Sequence, residues 1–490
     1  CPYDVCGSPE DASPNCGPVR TQGGGRGGGG GGGGGRGGAQ GPTYSQFYGI
    51  AGGESGYIAS DPLDPDITYG GNYSGVLQVF NRRTGLSERL DPWPLNPMGH
   101  DAVDSKYRFQ WTYPIMNSPF NPHVLYVGSN VVFKSMDDGK TWSIISPDLT
   151  RHDPKTLGSA GGPITKDQTS VEYYGTVFAL QESPIVPGLL WAGSDDGLIH
   201  VTRDGGKTWK NVTPKWPEWM RVSIIDPSPH APGTAWVAGN RYQLDDMTPY
   251  LYKTTDYGAT WTKITDGIPG DGFTRAIRED LYRPGMLYAA TERSVYLSYD
   301  AGAHWQSLAR NLPPVPVHDI ALRDDDMVIA THGRAFWVME NLNTLREAPE
   351  AAKAEGKDFF YKPAPVYRVG GAQALVTYRL AKGGQPVTIE FLDAAGKEIR
   401  KFASTDTQPT PPEGRGGGGG RGGAGRAQVV TTKAGVNTYR WDMRYPDASN
   451  FRGMILWAGG VQGPLIAPGA YTIRLTVGNE KPMTQPLIVK

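Results

Sequence analysis

Ser135-Met-Asp137-Asp-Gly139-Lys-Thr-Trp142, Thr202-Arg-Asp204-Gly-Gly206-Lys-Thr-Trp209, Thr254-Thr-Asp256-Tyr-Gly258-Ala-Thr-Trp261 and Ser298-Tyr-Asp300-Ala-Gly302-Ala-His-Trp305 are one phrase written four times. Each copy reads [Ser/Thr]-x-Asp-x-Gly-x-x-Trp, and its physical content is a hairpin turn. The Asp carboxylate accepts backbone N–H groups across the turn, and the Gly supplies a position with φ > 0. The Trp opens the next strand with a large ring to bury against the layer below. Four copies flanked by β-type sequence report architecture and say little about chemistry.

Working outward from these turns, a longer period begins near Tyr44. Proline-marked turns recur at Asp61-Pro-Leu-Asp-Pro65, Ser118-Pro-Phe-Asn-Pro122, Ser183-Pro-Ile-Val-Pro187, Asp226-Pro-Ser-Pro-His-Ala-Pro232 and Asp280-Leu-Tyr-Arg-Pro284, with a degenerate sixth at Arg323–Asp326. Each leads into an apolar, aromatic-bearing strand such as Leu125-Tyr-Val-Gly-Ser129 or Leu190-Trp-Ala-Gly-Ser194. Four strands per unit is the signature of propeller blades. Six units are visible, and the first and last lack the repeated turn. A seven-bladed β-propeller is expected; the strand around Tyr3–Gly7 either supplies the missing edge of the last blade or belongs to another propeller segment upstream.

After Asn341 the character changes. Leu345 to Lys357 reads as a short helical linker, and period-two strands return from Phe359 onward. The expected division is 1–42 for an N-terminal strand and glycine-rich loop, 43–345 for the propeller and 346–358 for the linker. Residues 359–490 are read as an immunoglobulin- or fibronectin-like β-sandwich with a glycine-rich loop at 414–426. The chain as a whole is all-β.

With 48 basic and 49 acidic residues among 490, electrostatics give no push toward nucleic acid or an anionic membrane. No apolar run is long enough to span a bilayer. The arginines of the glycine tracts (Arg26, Arg36, Arg415, Arg421, Arg426) have no interleaved aromatics, so flexible surface loops are expected there rather than an RNA-binding segment. The three cysteines are Cys1, Cys6 and Cys16. A Cys6–Cys16 disulfide is a plausible staple outside the cytoplasm. Cys1 is read as a start inside a longer precursor in preference to a lipidated first residue.

The repeated turn is the pattern called the Asp-box or BNR repeat. Together with Gly53-Glu-Ser-Gly-Tyr-Ile-Ala-Ser-Asp-Pro62, Ser146-Pro-Asp-Leu-Thr150, Glu172-Tyr-Tyr-Gly-Thr-Val177, Pro249–Gly258 and Val315–Ile320 followed by Thr331–Arg334, it makes the chain resemble a bacterial family of large Asp-box propellers. These are the sortilin-N-terminal-like, or "BNR/glycosyl hydrolase", repeat proteins. The resemblance implies an exported, extracytoplasmic protein and a longer precursor with a further propeller segment upstream. Its label as a hydrolase rests on a shared fold.

Chemistry is sparsely written. A sialidase needs three arginines converging on a carboxylate and a Tyr nucleophile activated by Glu. Glu172 with Tyr173 or Tyr174 is the one tempting local pair, and a structural role at the blade rim is favoured for it. A glucanase needs two carboxylates across a cleft. Asp195-Asp196, Asp245-Asp246 and Asp324–Asp326 are loop acids that could serve, though acids in solvated turns are ordinary. Eight scattered histidines give no metal spacing, no cofactor is expected, and calcium at the Asp-rich loops has only weak support. Gly158–Lys166 lacks the ending of a phosphate loop. His332 and Arg334 could face the central channel, but a packing role in the closing strand is favoured. The expected function is an extracytoplasmic, non-enzymatic scaffold or receptor-like module that binds a protein, a peptide or the upstream propeller segment. The alternative is a glycoside hydrolase, sialidase- or xyloglucanase-like, acting on an extracellular polysaccharide.

Overall fold

A computed structural model describes residues 3–9, 12–19, 46–167, 169–369, 372–406, 429–449, 454 and 461–490. Cys1, the glycine tract before residue 43 and that at 414–426 lie outside the described residues. The chain divides into two compact units, one of residues 4–17 and 44–338 and the other of residues 1–3, 18–43 and 339–490.

The first unit is the propeller. Five four-stranded antiparallel sheets and one three-stranded sheet follow one another in chain order. Their innermost strands are Ile58–Ser60 in blade 1, Ile115–Asn117 in blade 2, Val177–Glu182 in blade 3, Arg221–Pro227 in blade 4, Thr274–Glu279 in blade 5 and Val317–Arg323 in blade 6. The second strands are buried on both faces, which explains their unbroken apolar sequence. Alternate side chains on a strand point to opposite faces. Leu125 and Val127 therefore pack with Tyr69 and Leu77 of blade 1, while Tyr126 packs with Leu180 and Leu190 of blade 3. Trp191 of blade 3 faces Val222 and Val237 of blade 4, and Trp236 of blade 4 faces Ile277 and Leu287 of blade 5. The core is a series of such interfaces.

The four repeated turns fasten these interfaces. In the second copy, Thr202 Oγ1 donates to Asp204 at 2.8 Å, and Asp204 accepts the Thr208 N–H at 2.9 Å and the Thr208 hydroxyl at 2.7 Å. The Trp209 indole N–H then donates to the Ile145 carbonyl at 2.8 Å, at the end of the preceding blade. Trp142, Trp261 and Trp305 make the same bond to Leu90, Val212 and Ile264. Gly206 has φ +96°, and a Cβ there would lie 2.7 Å from the Ile145 carbonyl oxygen. The same residue thus receives the indole bond and excludes a side chain from the glycine.

Hydrogen bonding holds Asp204, Asp256 and Asp300 near a pKa of about 2, with burial opposing it most strongly at Asp300. A carboxylate with a depressed folded pKa contributes stability above its unfolded pKa, which is lost as pH falls through the folded value. The denaturation midpoint is therefore expected to drop between about pH 4 and 2. In an Asp204→Asn/Asp256→Asn/Asp300→Asn variant that slope should flatten; an unchanged slope in urea titrations would count against the assignment.

At the rung where Glu182 and Glu279 end their strands, blade 4 carries Pro227. Trp236 accordingly donates to Glu279 at 3.0 Å, whereas the buried Trp191 indole N–H has no partner.

The opening strand does not join blade 6. Asp4–Gly7 pairs instead in a separate sheet with Asn15–Pro18 and Tyr48–Gly49. Asp4 forms an ion pair with Arg82 of blade 1 at 3.2 Å, while Gly7 abuts the Phe336 ring of blade 6. This small sheet, cross-linked by a Cys6–Cys16 disulfide, sits between the first and last blades at the seventh position. The reason is local: residues 50–57 return directly into blade 1, so a sheet built on Tyr48 must lie beside it.

In the second unit, two short helices, Asn343–Arg346 and Ala348–Lys353, precede the strands. A sheet of Phe359–Phe360, Ala374–Leu380 and Gly435–Trp441 faces one of Glu398–Ala403, Val387–Leu392, Gly469–Val477 and Met483–Val489. Period-two side chains from both sheets fill one core, with Trp441 stacked on Phe391 at 3.9 Å between ring centroids. Among the described residues no helix is long and apolar enough to cross a membrane.

Candidate functional site

Strand direction sorts the propeller's loops onto two rims. The repeated turns and proline-marked turns share one rim; the turns between second and third strands, with the blade-to-blade connectors, share the other. Polar chemistry concentrates on the connector rim.

At its base lies Arg108, whose side chain is 1% exposed. Its guanidinium donates to the Gly175 carbonyl at 3.0 Å, to Asp148 at 3.1 Å and to Thr150 Oγ1 at 3.1 Å. The His152 ring lies 3.3 Å from the same group. Burial raises the Asp148 pKa, but bonds from Thr150 and Asn130 and the Arg108 charge outweigh it and leave it lowered. This network pins the long connector from residue 145 to 176 against blade 2.

The two acids Asp195 and Asp196 sit at the tip of the blade 3 turn and are buried, at 5% and 2% exposure. Asp195 accepts the Thr176 N–H at 2.8 Å and its hydroxyl at 2.9 Å. Asp196 accepts the Ser194 hydroxyl and the Arg151 N–H. Burial pushes Asp195 up to about 7 and raises Asp196 as well. They are therefore enclosed fasteners of the connector, not the solvated loop acids expected. Small partners at Ser194 and Thr176 let the turn fold inward.

Above them runs a stripe of cations and rings. Arg151 lies 4.8 Å over Trp219, and Arg221 lies 5.1 Å over Phe178 and 5.6 Å over Tyr242. Tyr242 stacks on Phe273 at 4.6 Å, and Arg275 lies 4.8 Å from that ring. Arg275 also lowers the pKa of His318, after burial, to about 4; His318 packs edge-on against His332 at 5.1 Å. Trp219 has φ +60°, a left-handed backbone that is a strained outlier for so bulky a residue.

Several stripe residues come from one recurring irregularity. The innermost strands of blades 3 to 6 each slip by one residue, at Phe178, Ser223, Arg275 and His318. Such bulges re-aim a side chain without ending the sheet. The connectors, with Arg151 and Trp219, and the blade 4 turn, with Tyr242, supply the rest.

The remaining sequence candidates scatter. Tyr173 is buried and donates to the His100 carbonyl at 2.7 Å, while Glu172 is exposed and bridges to Gln110. Tyr174 lies within the fields of Asp195, Asp196, Arg151 and Arg221, so it belongs to the stripe and not to a Glu172 pair. Asp245 is an exposed turn residue, and Asp246 is held near a pKa of about 2: burial opposes this, but bonds from Thr248, Tyr250 and Arg241 prevail. Asp326 pairs with Arg323 in the tight turn of blade 6, on the opposite rim. His332 and Arg334 are exposed at the blade 6 turn. Gly158–Lys166 forms an exposed hairpin, Ala160–Gly161 with Lys166–Asp167. Deeper in the channel, Arg278 bridges Asp319 at 3.0 Å and Asp226 at 3.6 Å. A separate cleft of about 830 Å³ flanks the outer strand of blade 1, lined by Tyr73, Glu88, Leu95, Met98 and Lys140. No group of three metal-ligating side chains occurs among the described residues.

Sequence does not announce the stripe because its members lie in different blades and connectors, and no residue type repeats at their matching positions.

No family model matches the chain. A curated protein from Neosartorya fischeri, described as a probable oligoxyloglucan-reducing end-specific xyloglucanase, is 23% identical over 217 residues. The match takes in 42% of this chain and spans 23% of that protein's length. Among solved structures, the GH74 xyloglucanase from Xanthomonas campestris aligns over 65% of this chain and 50% of its own, at 17% identity and a TM-score of 0.41. The GH74 enzyme of Niastella koreensis aligns over 87% and 64%, at 13% identity and a TM-score of 0.41. YCF48 bound to D1 peptide aligns over 65% and 92%, at 13% identity and a TM-score of 0.36. None of these identities is high enough for chemistry to transfer residue by residue.

Proposed function

We propose that this chain is the substrate-holding part of a glycoside hydrolase that works on an extracellular polysaccharide. The observation that carries the reading is the arginine–aromatic stripe across blades 3 to 6 of the connector rim. A long polymer needs an extended, rigid surface whose side chains are held in place before it arrives, and stacked rings and guanidinium groups provide that. The sequence similarity to a protein described as a xyloglucanase points the same way. We assign no catalytic residue. Asp195 has the raised pKa of a general acid, but both its oxygens are engaged by Thr176 beneath the rim. The receptor-like reading would use the same surface for a protein.

The test is native affinity electrophoresis of the full chain through gels containing xyloglucan, arabinoxylan, glucuronoxylan, alginate or polygalacturonate, with reducing-end release measured in parallel. Retardation by at least one polymer is expected, and Trp219→Ala, which removes the platform under Arg151, should weaken it about tenfold. Retention by none of the polymers would overturn the reading and return the rim to protein binding.

A further inference from the structure

The arginines of the connector rim fall into two classes. Arg275 is paired with Glu292 at 2.6 Å, Arg241 with Asp246 at 2.8 Å and Arg293 with Asp271 at 2.8 Å. Arg151 and Arg221 have no carboxylate at ion-pair distance among the described residues. Arg151 donates through Nε to the Asp196 backbone carbonyl at 2.7 Å. Arg221 donates to the hydroxyl of Tyr242 at 3.3 Å and to the amide oxygen of Gln243. All these acceptors are neutral. Both guanidinium groups are half-buried and lie over rings, and Trp219, the ring under Arg151, stands two residues before Arg221.

This arrangement changes what the rim offers a ligand. A neutral sugar ring binds by stacking on an open aromatic face, but here one face each of Trp219, Phe178 and Tyr242 is already covered by a cation. What the two guanidinium groups add is planar, positively charged donor surface, a chemistry that matches a carboxylate. The carboxyls of Asp195 and Asp196 lie buried beneath it, engaged by Thr176, by Ser194 and by the Arg151 N–H.

We propose that Arg151 and Arg221 form a clamp for the carboxylate of a uronic acid residue, so that the polysaccharide held by this rim is an acidic one. The inference rests on the polysaccharide reading above and narrows it. The strain at Trp219 fits the same role, because the αL backbone sets the ring beneath Arg151.

The experiment uses the full chain and three uronate polymers (polygalacturonate, alginate and glucuronoxylan), each with its methyl-esterified form, beside neutral xyloglucan and arabinoxylan and a polyglutamate control. Affinity is measured at two salt concentrations for the native chain and for Arg151→Gln, Arg221→Gln and Arg221→Lys, with thermal melts confirming the fold. The expected result is binding to at least one uronate polymer that is lost on esterification and weakened by salt. Either glutamine variant should lose about tenfold or more, and Arg221→Lys should recover only part of it, because the charge returns without the fork. Retention by neutral polymers, or equal retention of esterified forms, would overturn the clamp while leaving the polysaccharide reading intact. Preference for polyglutamate over every uronate polymer would overturn it in favour of an acidic protein partner. Binding to nothing in the panel would overturn both.

Discussion

Arg108→Met will destabilise the propeller by about 3–5 kcal/mol, the range for removing one partner of a buried ion pair. The side chain is almost wholly enclosed and satisfies Asp148, Thr150 and the Gly175 carbonyl at once. Methionine fills much of the volume but removes the positive charge beside Asp148 and the Arg108 donor to the Gly175 carbonyl, while Asp148 keeps its bonds from Asn130 and Thr150. The cost should exceed that of lost packing, and a second change tests this: Asp148→Leu in the Arg108→Met background removes the stranded charge and should recover part of the stability. Because the network anchors the connector carrying Arg151, the single variant should also weaken rim binding. Urea unfolding of the three chains decides the matter. A loss below about 1 kcal/mol for Arg108→Met would show that the pair contributes no more than a surface bridge.

Trp441→Ala acts in the other unit. Its ring is 1% exposed, stacks on Phe391 and belongs to the core shared by both sheets of the sandwich. Truncation leaves a large cavity, and about 3–5 kcal/mol is the expected cost. Calorimetry should show a transition moved to lower temperature, while polysaccharide retention at the propeller rim stays as in the native chain. A cost under about 1 kcal/mol would mean that the sandwich collapses around the gap.

Much of this fold is legible in the sequence because its determinants are local. The Asp, Gly and Trp of the repeated turns lie within eight residues of one another, even though the Trp and the Gly meet the preceding blade. The apolar strands of the blades and the period-two strands of the sandwich are likewise read from nearest neighbours; Phe359–Phe360 is too short to carry a pattern, and Glu398–Ala403 lacks strict alternation. Ring closure was not legible. Where Asp4–Gly7 goes depends on Asn15–Pro18 and Tyr48–Gly49, which meet it only in three dimensions. The rim was the least legible part. Asp195 and Asp196 look like solvated loop acids in sequence, since nothing nearby announces that Thr176 and the Arg151 N–H will fold over them. Arg151 and Trp219 are 68 positions apart and become partners only because consecutive connectors cross the same rim. Function suffered accordingly, because the sequence offered acids one at a time, while the surface is organised around arginines.

The slipped residue at the same rung of four consecutive innermost strands has a consequence for engineering. Since Phe178, Ser223, Arg275 and His318 are each the unpaired extra member of their ladder, they can be exchanged without rewriting the hydrogen-bond register around them. The four positions form a compact set for a directed library, in which one face of the wheel is rewritten letter by letter while its spokes are left as they stand.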